Sequence, residues 1–207
     1  MNITCDKCKK ISELCLCAET RPQATRTHFL ILQHPQEPDH ELGSAFLAHH
    51  ALKNSTLKVG LSWRNLKVVL GKENIDPSRW VVLYLGSGVK GQIKQLDTLQ
   101  FVSKQGNPVP KPPKIEGVIL LDGTWSQAKT LWWRNAWLLK LNRAILNPKH
   151  KSLYKELRKE PRKECLSTIE SIAEVLDALG DSPEVSQSLR QLFSDLLNKS
   201  RERRKNK

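Results

Sequence analysis

Gly117-Val118-Ile119-Leu120-Leu121 runs without a break into Asp122-Gly123-Thr124-Trp125. A short unbroken apolar run that stops at a glycine-containing turn reads as a buried strand. The residues from about 125 to 134 continue as a helix, with Thr124 placed to accept a bond from one of its first N–H groups. Ligand sites of open α/β sheets gather at the carboxyl ends of strands, and Asp122 stands at such an end. Gly123 permits close approach of the backbone to a ligand. Trp125 either stacks on a flat ring or plugs the core. From the residues alone, a ligand site and a plain capped helix start both remain open.

Working outward, His28-Phe29-Leu30-Ile31-Leu32-Gln33 is a second apolar run, stopped by His34-Pro35, and it predicts another buried strand. His34 reads as a strand-end structural residue rather than a base. Residues 41–52 carry Leu42, Ala45, Phe46, Ala48 and Leu52 at helical spacing. Residues 66–70 and 80–85 read as further strands, the second ending in the flexible turn Gly86-Ser87-Gly88. Residues 103–114, with Pro108, Pro110, Pro112 and Pro113 among Lys104, Lys111 and Lys114, predict a stiff exposed loop. The last third reads as helical. Leu153, Tyr154 and Leu157 share one face; Ile169, Ile172, Ala173, Val175 and Leu176 share another. Leu189, Leu192, Phe193, Leu196 and Leu197 stripe a final helix that frays into the basic residues 201–207. Strands alternating with helices predict an α/β fold with a mainly parallel sheet flanked by helices.

The 207 residues suffice for one core with a small appendage. Thirty-four Lys and Arg against twenty-one Asp and Glu leave a formal charge of +13, which favours a polyanionic partner. No apolar run approaches the roughly 18 residues of a spanning helix, and the first residues show no apolar signal segment, so a cytoplasmic protein without a membrane partner is expected. Nothing in the sequence demands an obligate protein partner.

Four of the five cysteines, Cys5, Cys8, Cys15 and Cys17, fall within thirteen residues. In a reducing compartment such a cluster binds metal more readily than it forms disulfides. Four thiolates suit tetrahedral zinc and close its coordination sphere, so the metal is expected to be structural, with free or redox thiols and an iron–sulfur cluster as the alternatives. Residues 1–20 are read as this knuckle and 21–207 as the main domain with its basic tail. Cys165 stands apart and is given no role. Trp132, Trp133 and Trp137 are dense enough for one to be exposed for base stacking, with core packing expected of the other two.

Four segments, in order, resemble the DTW-domain family. These are the cysteine cluster, His34-Pro35-Gln36-Glu37, Asp122-Gly123-Thr124-Trp125 with Ala128, and a late block in which Tyr154, Arg158 and Pro161 precede Leu166-Ser167-Thr168-Ile169-Glu170. The resemblance implies a tRNA-uridine aminocarboxypropyltransferase. Such an enzyme moves the 3-amino-3-carboxypropyl group of S-adenosylmethionine to N3 of a tRNA uridine, forming acp3U and methylthioadenosine. It also implies a sheet similar to that of the SPOUT methyltransferases, which are knotted at the cofactor site.

Under that resemblance Asp122 either accepts the N3 proton or orients the base. The cofactor is expected near Leu85, Gly86, Gly88, Leu121, Thr124 and Trp125, with Ser167 and Thr168 toward its carboxylate. Glu170 either meets its ammonium or closes a capping box with Ser167. Arg158, Lys159, Arg162 and Lys163 are expected on the tRNA backbone. A target uridine must be unpaired or flipped to present N3. The competing readings are a zinc-knuckle RNA-binding protein without chemistry and a SPOUT-like RNA methyltransferase.

Overall fold

The computed structural model describes residues 4–38, 40–83, 98–103, 105, 107–112, 114–148, 151–154 and 166–206. Among the described residues seven strands form one sheet: β1 His28–Gln33, β2 Ser55–Val59, β3 Trp80–Leu83, β4 Leu99–Val102, β5 Pro108–Val109, β6 Gly117–Asp122 and β7 Asn142–Leu146. Their order is β2-β1-β6-β3-β7-β4-β5. The first five in that order pair in parallel, and β4 pairs antiparallel with β7 and β5. The expected mixed α/β fold with a mostly parallel sheet is present, with an antiparallel edge.

The expected strands at 28–33 and 117–121 are present and lie side by side. Their residues are almost fully buried, as continuous apolar runs in a parallel sheet require. Side chains alternate between two cores. Phe29, Ile31, Val81, Val118 and Leu120 meet α1 (Ala45–Ala51), α4 (Thr168–Leu179) and α5 (Pro183–Lys205) on one face. Leu30, Leu32, Val82 and Ile119 meet α2 (Leu66–Leu70) and α3 (Trp125–Arg134) on the other.

Several expectations are corrected. Residues 66–70 are a helix and not a strand. Asn65 caps it by accepting from the Val68 N–H, and Gly71 ends it in the left-handed conformation at φ 64°. Leu66 and Val69 face inward while Val68 is exposed, a helical spacing hidden in a five-residue apolar run. The helix expected over 41–52 begins only at Ala45. The proline-rich stretch is not all loop, since Pro108 and Val109 pair with Val102 and Phe101. Strands β2, β4 and β7 were not expected. The strand expected over 80–85 is seen to Leu83. Leu153 and Tyr154 lie in a turn, and Leu157 is outside the described residues.

The tail does not fray at 201. Helix α5 continues to Lys205, and Arg203 pairs with Glu13 at 2.6 Å and Glu41 at 3.2 Å. The same contact docks the N-terminal cysteine segment. Leu14 and Leu16 are 1 % exposed and belong to the first core, so this segment shares the core of the main domain. No helix among the described residues is long and apolar enough to cross a membrane.

Candidate active site

The strand order creates the site. From β1 the chain leaves toward α1 on one face; from β6 it leaves toward α3 on the other. Between two neighbouring parallel strands whose exits diverge, a crevice opens at the carboxyl ends. Gln33 and Asp122 end those strands and are register partners. By alternation both side chains point to the face covered by α4.

Asp122 is held from two sides. Gln33 Nε2 donates to its Oδ2 at 2.8 Å, and the Thr168 hydroxyl donates to its Oδ1. Thr168 is the first residue of α4, so the positive end of that helix faces the carboxylate. Ser167 caps α4 through a capping box: its hydroxyl accepts from the Glu170 N–H, and Glu170 accepts from the Ser167 N–H at 2.9 Å. Glu170 also accepts from the Ser167 and Ser152 hydroxyls and from the Leu153 N–H. Of the two readings of this pair, the capping box is therefore the one formed. Ser167 and Glu170 are buried and engaged with each other, and they fix where Thr168 stands.

At the other motif, Thr124 and Gln127 form a second capping box at the start of α3. Thr124 is exposed at the crevice mouth and Trp125 is half-buried beside it. Gly123 has φ 156°, and a Cβ there would lie 2.9 Å from Gln127 Cβ and 3.4 Å from His34 Cβ. Its lack of a side chain therefore makes room for the cap of α3 and the end of β1. The Leu121 side chain packs into the opposite core, leaving only its backbone to line the crevice. Leu85, Gly86, Gly88, Arg158, Lys159, Arg162, Lys163 and Cys165 lie outside the described residues.

His34 is the strand-end residue expected of it. Its N–H donates to the Asp122 carbonyl at 2.9 Å, and its Nδ1 accepts from the Gln36 N–H. Successive tight turns follow to Gly43 and carry Glu37, which is 4 % exposed. Ser44 accepts from the Ile169 N–H of α4, and the Tyr154 hydroxyl donates to the Leu42 carbonyl. Lys10, from the cysteine segment, reaches in and donates to the His40 carbonyl at 2.7 Å. Burial pushes its ammonium down to about 8, against the pull of Cys8, Asp122, Glu41 and Glu37. Gln33, Lys10, Ser44 and Ser152 were not foreseen as parts of this region. Gln33 carried one signal: a lone amide closing an otherwise apolar strand.

The four cysteines converge as expected. Their sulfurs all lie within 4.8 Å of one another, with Cys5–Cys17 at 3.8 Å and Cys8–Cys15 at 3.7 Å. A tetrahedron with zinc–sulfur bonds of about 2.3 Å has edges of roughly 3.8 Å, so the spacing fits one ion and is far too long for disulfides. Backbone N–H groups of Cys8 and Lys7 pull the Cys5 thiol down to about 6, while burial pushes those of Cys8 and Cys17 up.

Taken together, the fold and site define an α/β protein with a crevice at a sheet switch point and a cluster of four cysteines that could hold a metal ion. The chain belongs to the DTW-domain family, whose profile matches residues 2–201. It is 27 % identical over 189 residues to mouse (Mus musculus) tRNA-uridine aminocarboxypropyltransferase 2, covering 89 % of this chain and 59 % of that protein. It is 29 % identical over 194 residues to the Drosophila melanogaster protein of that name, covering 89 % and 70 %. The Arabidopsis thaliana tRNA-uridine aminocarboxypropyltransferase A is 25 % identical over 213 residues, covering 93 % and 79 %. The chain thus spans about three fifths of the length of the mouse relative. No solved structure matches it.

Proposed function

We propose that this protein transfers the 3-amino-3-carboxypropyl group of S-adenosylmethionine to N3 of a tRNA uridine, leaving methylthioadenosine. The observation that carries the reading is Asp122, fixed by Gln33 and Thr168 in a switch-point crevice of a DTW-family chain. S-adenosylmethionine, when bound, supplies a sulfonium whose attached carbons are electrophilic. Uridine N3 bonds to the γ-carbon of the aminobutanoate chain as the carbon–sulfur bond breaks, its electron pair staying on sulfur. The N3 proton passes to Asp122. A carboxylate has about four acceptor positions, so Asp122 receives this proton while Thr168 and Gln33 hold it in line. Alignment of one carbon with N3, rather than raw reactivity, decides which group is transferred.

Ser167 and Glu170 act at one remove, by positioning Thr168. The Leu121 backbone, Thr124 and Trp125 border the cofactor, and Leu85, Gly86 and Gly88 complete that border in this proposal. Cys5, Cys8, Cys15 and Cys17 hold a structural zinc ion, and residues 1–20 and 21–207 act as knuckle and catalytic domain. The parallel sheet with its site at the strand ends supports a SPOUT-like relationship. Cytoplasmic tRNA is the polyanionic partner. Trp133, 69 % exposed on α3 with Lys129 and Arg134 exposed beside it, offers a base-stacking face about 12 Å along the helix from Trp125. Phosphate contacts are assigned to Arg158, Lys159, Arg162 and Lys163.

Mass spectrometry of nucleosides from tRNA incubated with S-adenosylmethionine and the protein tests the reading. A uridine gaining the aminocarboxypropyl group is expected. Gain of a single methyl group points to a methyltransferase and sinks the proposal; tRNA binding with no mass change points to a binder without chemistry and sinks it equally.

A further inference from the structure

Gln33 is 1 % exposed. Its neighbour fixes its amide orientation: Nε2 faces Asp122 Oδ2 at 2.8 Å, and the flipped amide would set two acceptors against each other. Oε1 is then left as a buried acceptor with no hydrogen-bond partner among the described residues. Buried polar atoms in native proteins are almost always satisfied, and an orphan beside a ligand crevice calls for a donor that arrives with the ligand.

The surroundings narrow the kind of donor. Oε1 and Nε2 share one carbon, so a group bonded to Oε1 also sits within Coulombic reach of the Asp122 carboxylate. Glu37, 4 % exposed, stands in the turn just after β1, its N–H donating to the His34 carbonyl. Acceptors and negative charge together select a cationic N–H donor. Among the reactants proposed above, the cationic nitrogen is the α-ammonium of the aminobutanoate chain; the sulfonium carries no N–H.

We infer that Gln33 Oε1, with the Asp122 carboxylate, forms the subsite for the α-ammonium of S-adenosylmethionine. The inference rests on the aminocarboxypropyl-transfer reading and deepens it. The γ-carbon is only two bonds from the ammonium-bearing α-carbon. Anchoring the ammonium beside Asp122 therefore brings the γ-carbon, and not the methyl group, toward the uridine that meets the same carboxylate. Gln33 thereby selects which sulfonium carbon reacts.

Calorimetric titration of the zinc-loaded full chain tests it with three ligands: S-adenosylmethionine, its analogue with hydrogen in place of the amino group, and methylthioadenosine. Wild type is expected to prefer S-adenosylmethionine over the deaminated analogue by about tenfold or more. Gln33→Met, close in shape but without the acceptor, is expected to lose that preference through about tenfold weaker S-adenosylmethionine binding. Its affinity for the other two ligands stays unchanged, which also shows that the variant folds. Retention of the preference by Gln33→Met overturns the inference, as does equal weakening of all three ligands. Failure of wild type to bind S-adenosylmethionine at all is a different result and removes the transferase reading itself.

Discussion

Thr168→Val isolates the hold on Asp122. Valine matches threonine in shape and deletes the hydroxyl that donates to Asp122 Oδ1. The helix start is insulated from the change, because the Ile169 and Glu170 N–H groups of α4 donate to the Ser44 and Ser167 hydroxyls and not to Thr168. What remains is a carboxylate without its hydroxyl donor from α4, still bonded by Gln33. A hydrogen bond to a charged group contributes about 1.5–3 kcal/mol, and each 1.36 kcal/mol is tenfold in rate. The variant is therefore expected to lose about 10- to 150-fold in kcat, read as aminocarboxypropyl-uridine formed per minute on a tRNA transcript. The same loss, felt as stability, is expected to lower the melting temperature by about 3–12 °C at this chain length, so the rate is read well below the melt. Thr168→Ser, which restores the donor, should recover most of the rate. The reasoning is refuted if Thr168→Val turns over at the wild-type rate, or if serine rescues no better than valine.

Other consequences follow from separate parts of the molecule. Removing the metal with a chelator, or Cys8→Ser, should lower the melting temperature by at least about 5 °C, because the segment that bears the ligands also carries Leu14 and Leu16 into the core; an unchanged melt argues against a structural ion. Gly117→Ala would place a Cβ 2.4 Å from the buried Trp80 ring, a cost of about 1–3 kcal/mol that urea titration should register and that Trp80→Leu in the same chain should partly relieve. Burial first, then Lys72 and His49, lower His28 from 6.5 to about 4, with its ring against Thr56 and Trp80. A depressed histidine favours folding above 6.5 and that contribution disappears as pH falls toward 4. The ceiling is near 3 kcal/mol, and with the ring partly open to water about 1–2 kcal/mol is expected; His28→Gln should flatten the stability curve across that window, and an equally steep curve would contradict it. Trp133→Ala should raise KM for tRNA by about 5- to 100-fold, the worth of one stacking contact, while leaving calorimetric S-adenosylmethionine binding unchanged; an unaltered KM removes Trp133 from the RNA surface.

The parts of the fold that were legible in the sequence are those whose residues carry their own signal. The strands at 28–33 and 117–122 are buried on both sides and read as apolar runs. Thr124 and Ser167 announce helix starts by their caps, and the cysteines announce a cluster by their number. What was missed obeys context. Leu66-Lys67-Val68-Val69-Leu70 has strand-like composition, and only Asn65 and Gly71 together reveal a single capped turn and a half. Strands β2 and β7 carry Lys58 and Arg143 and half-exposed positions, so no apolar run marks them. The basic end of α5 looked like a solvated tail because the acids that pair with it, Glu13 and Glu41, are more than 150 residues away in sequence.

The same distinction explains why the site motifs are short and scattered. Asp-x-Thr-Trp, His-Pro-x-Glu and Ser-Thr-x-Glu each occupy an element terminus, and the parallel sheet brings those termini to one edge. Each motif also does two things at once. Thr124 caps α3 at the crevice mouth; His34 closes β1 onto the Asp122 carbonyl; Ser167 and Glu170 cap α4 so that Thr168 reaches Asp122. Sequence reasoning that sets a capping role against a functional role therefore poses a false choice here. The cap is the means by which a neighbouring side chain is held at the carboxylate, and its loss is expected to act on rate through position. Gln33 belongs to no such motif, and its meaning came only from the buried oxygen that its bond to Asp122 leaves without a donor among the described residues.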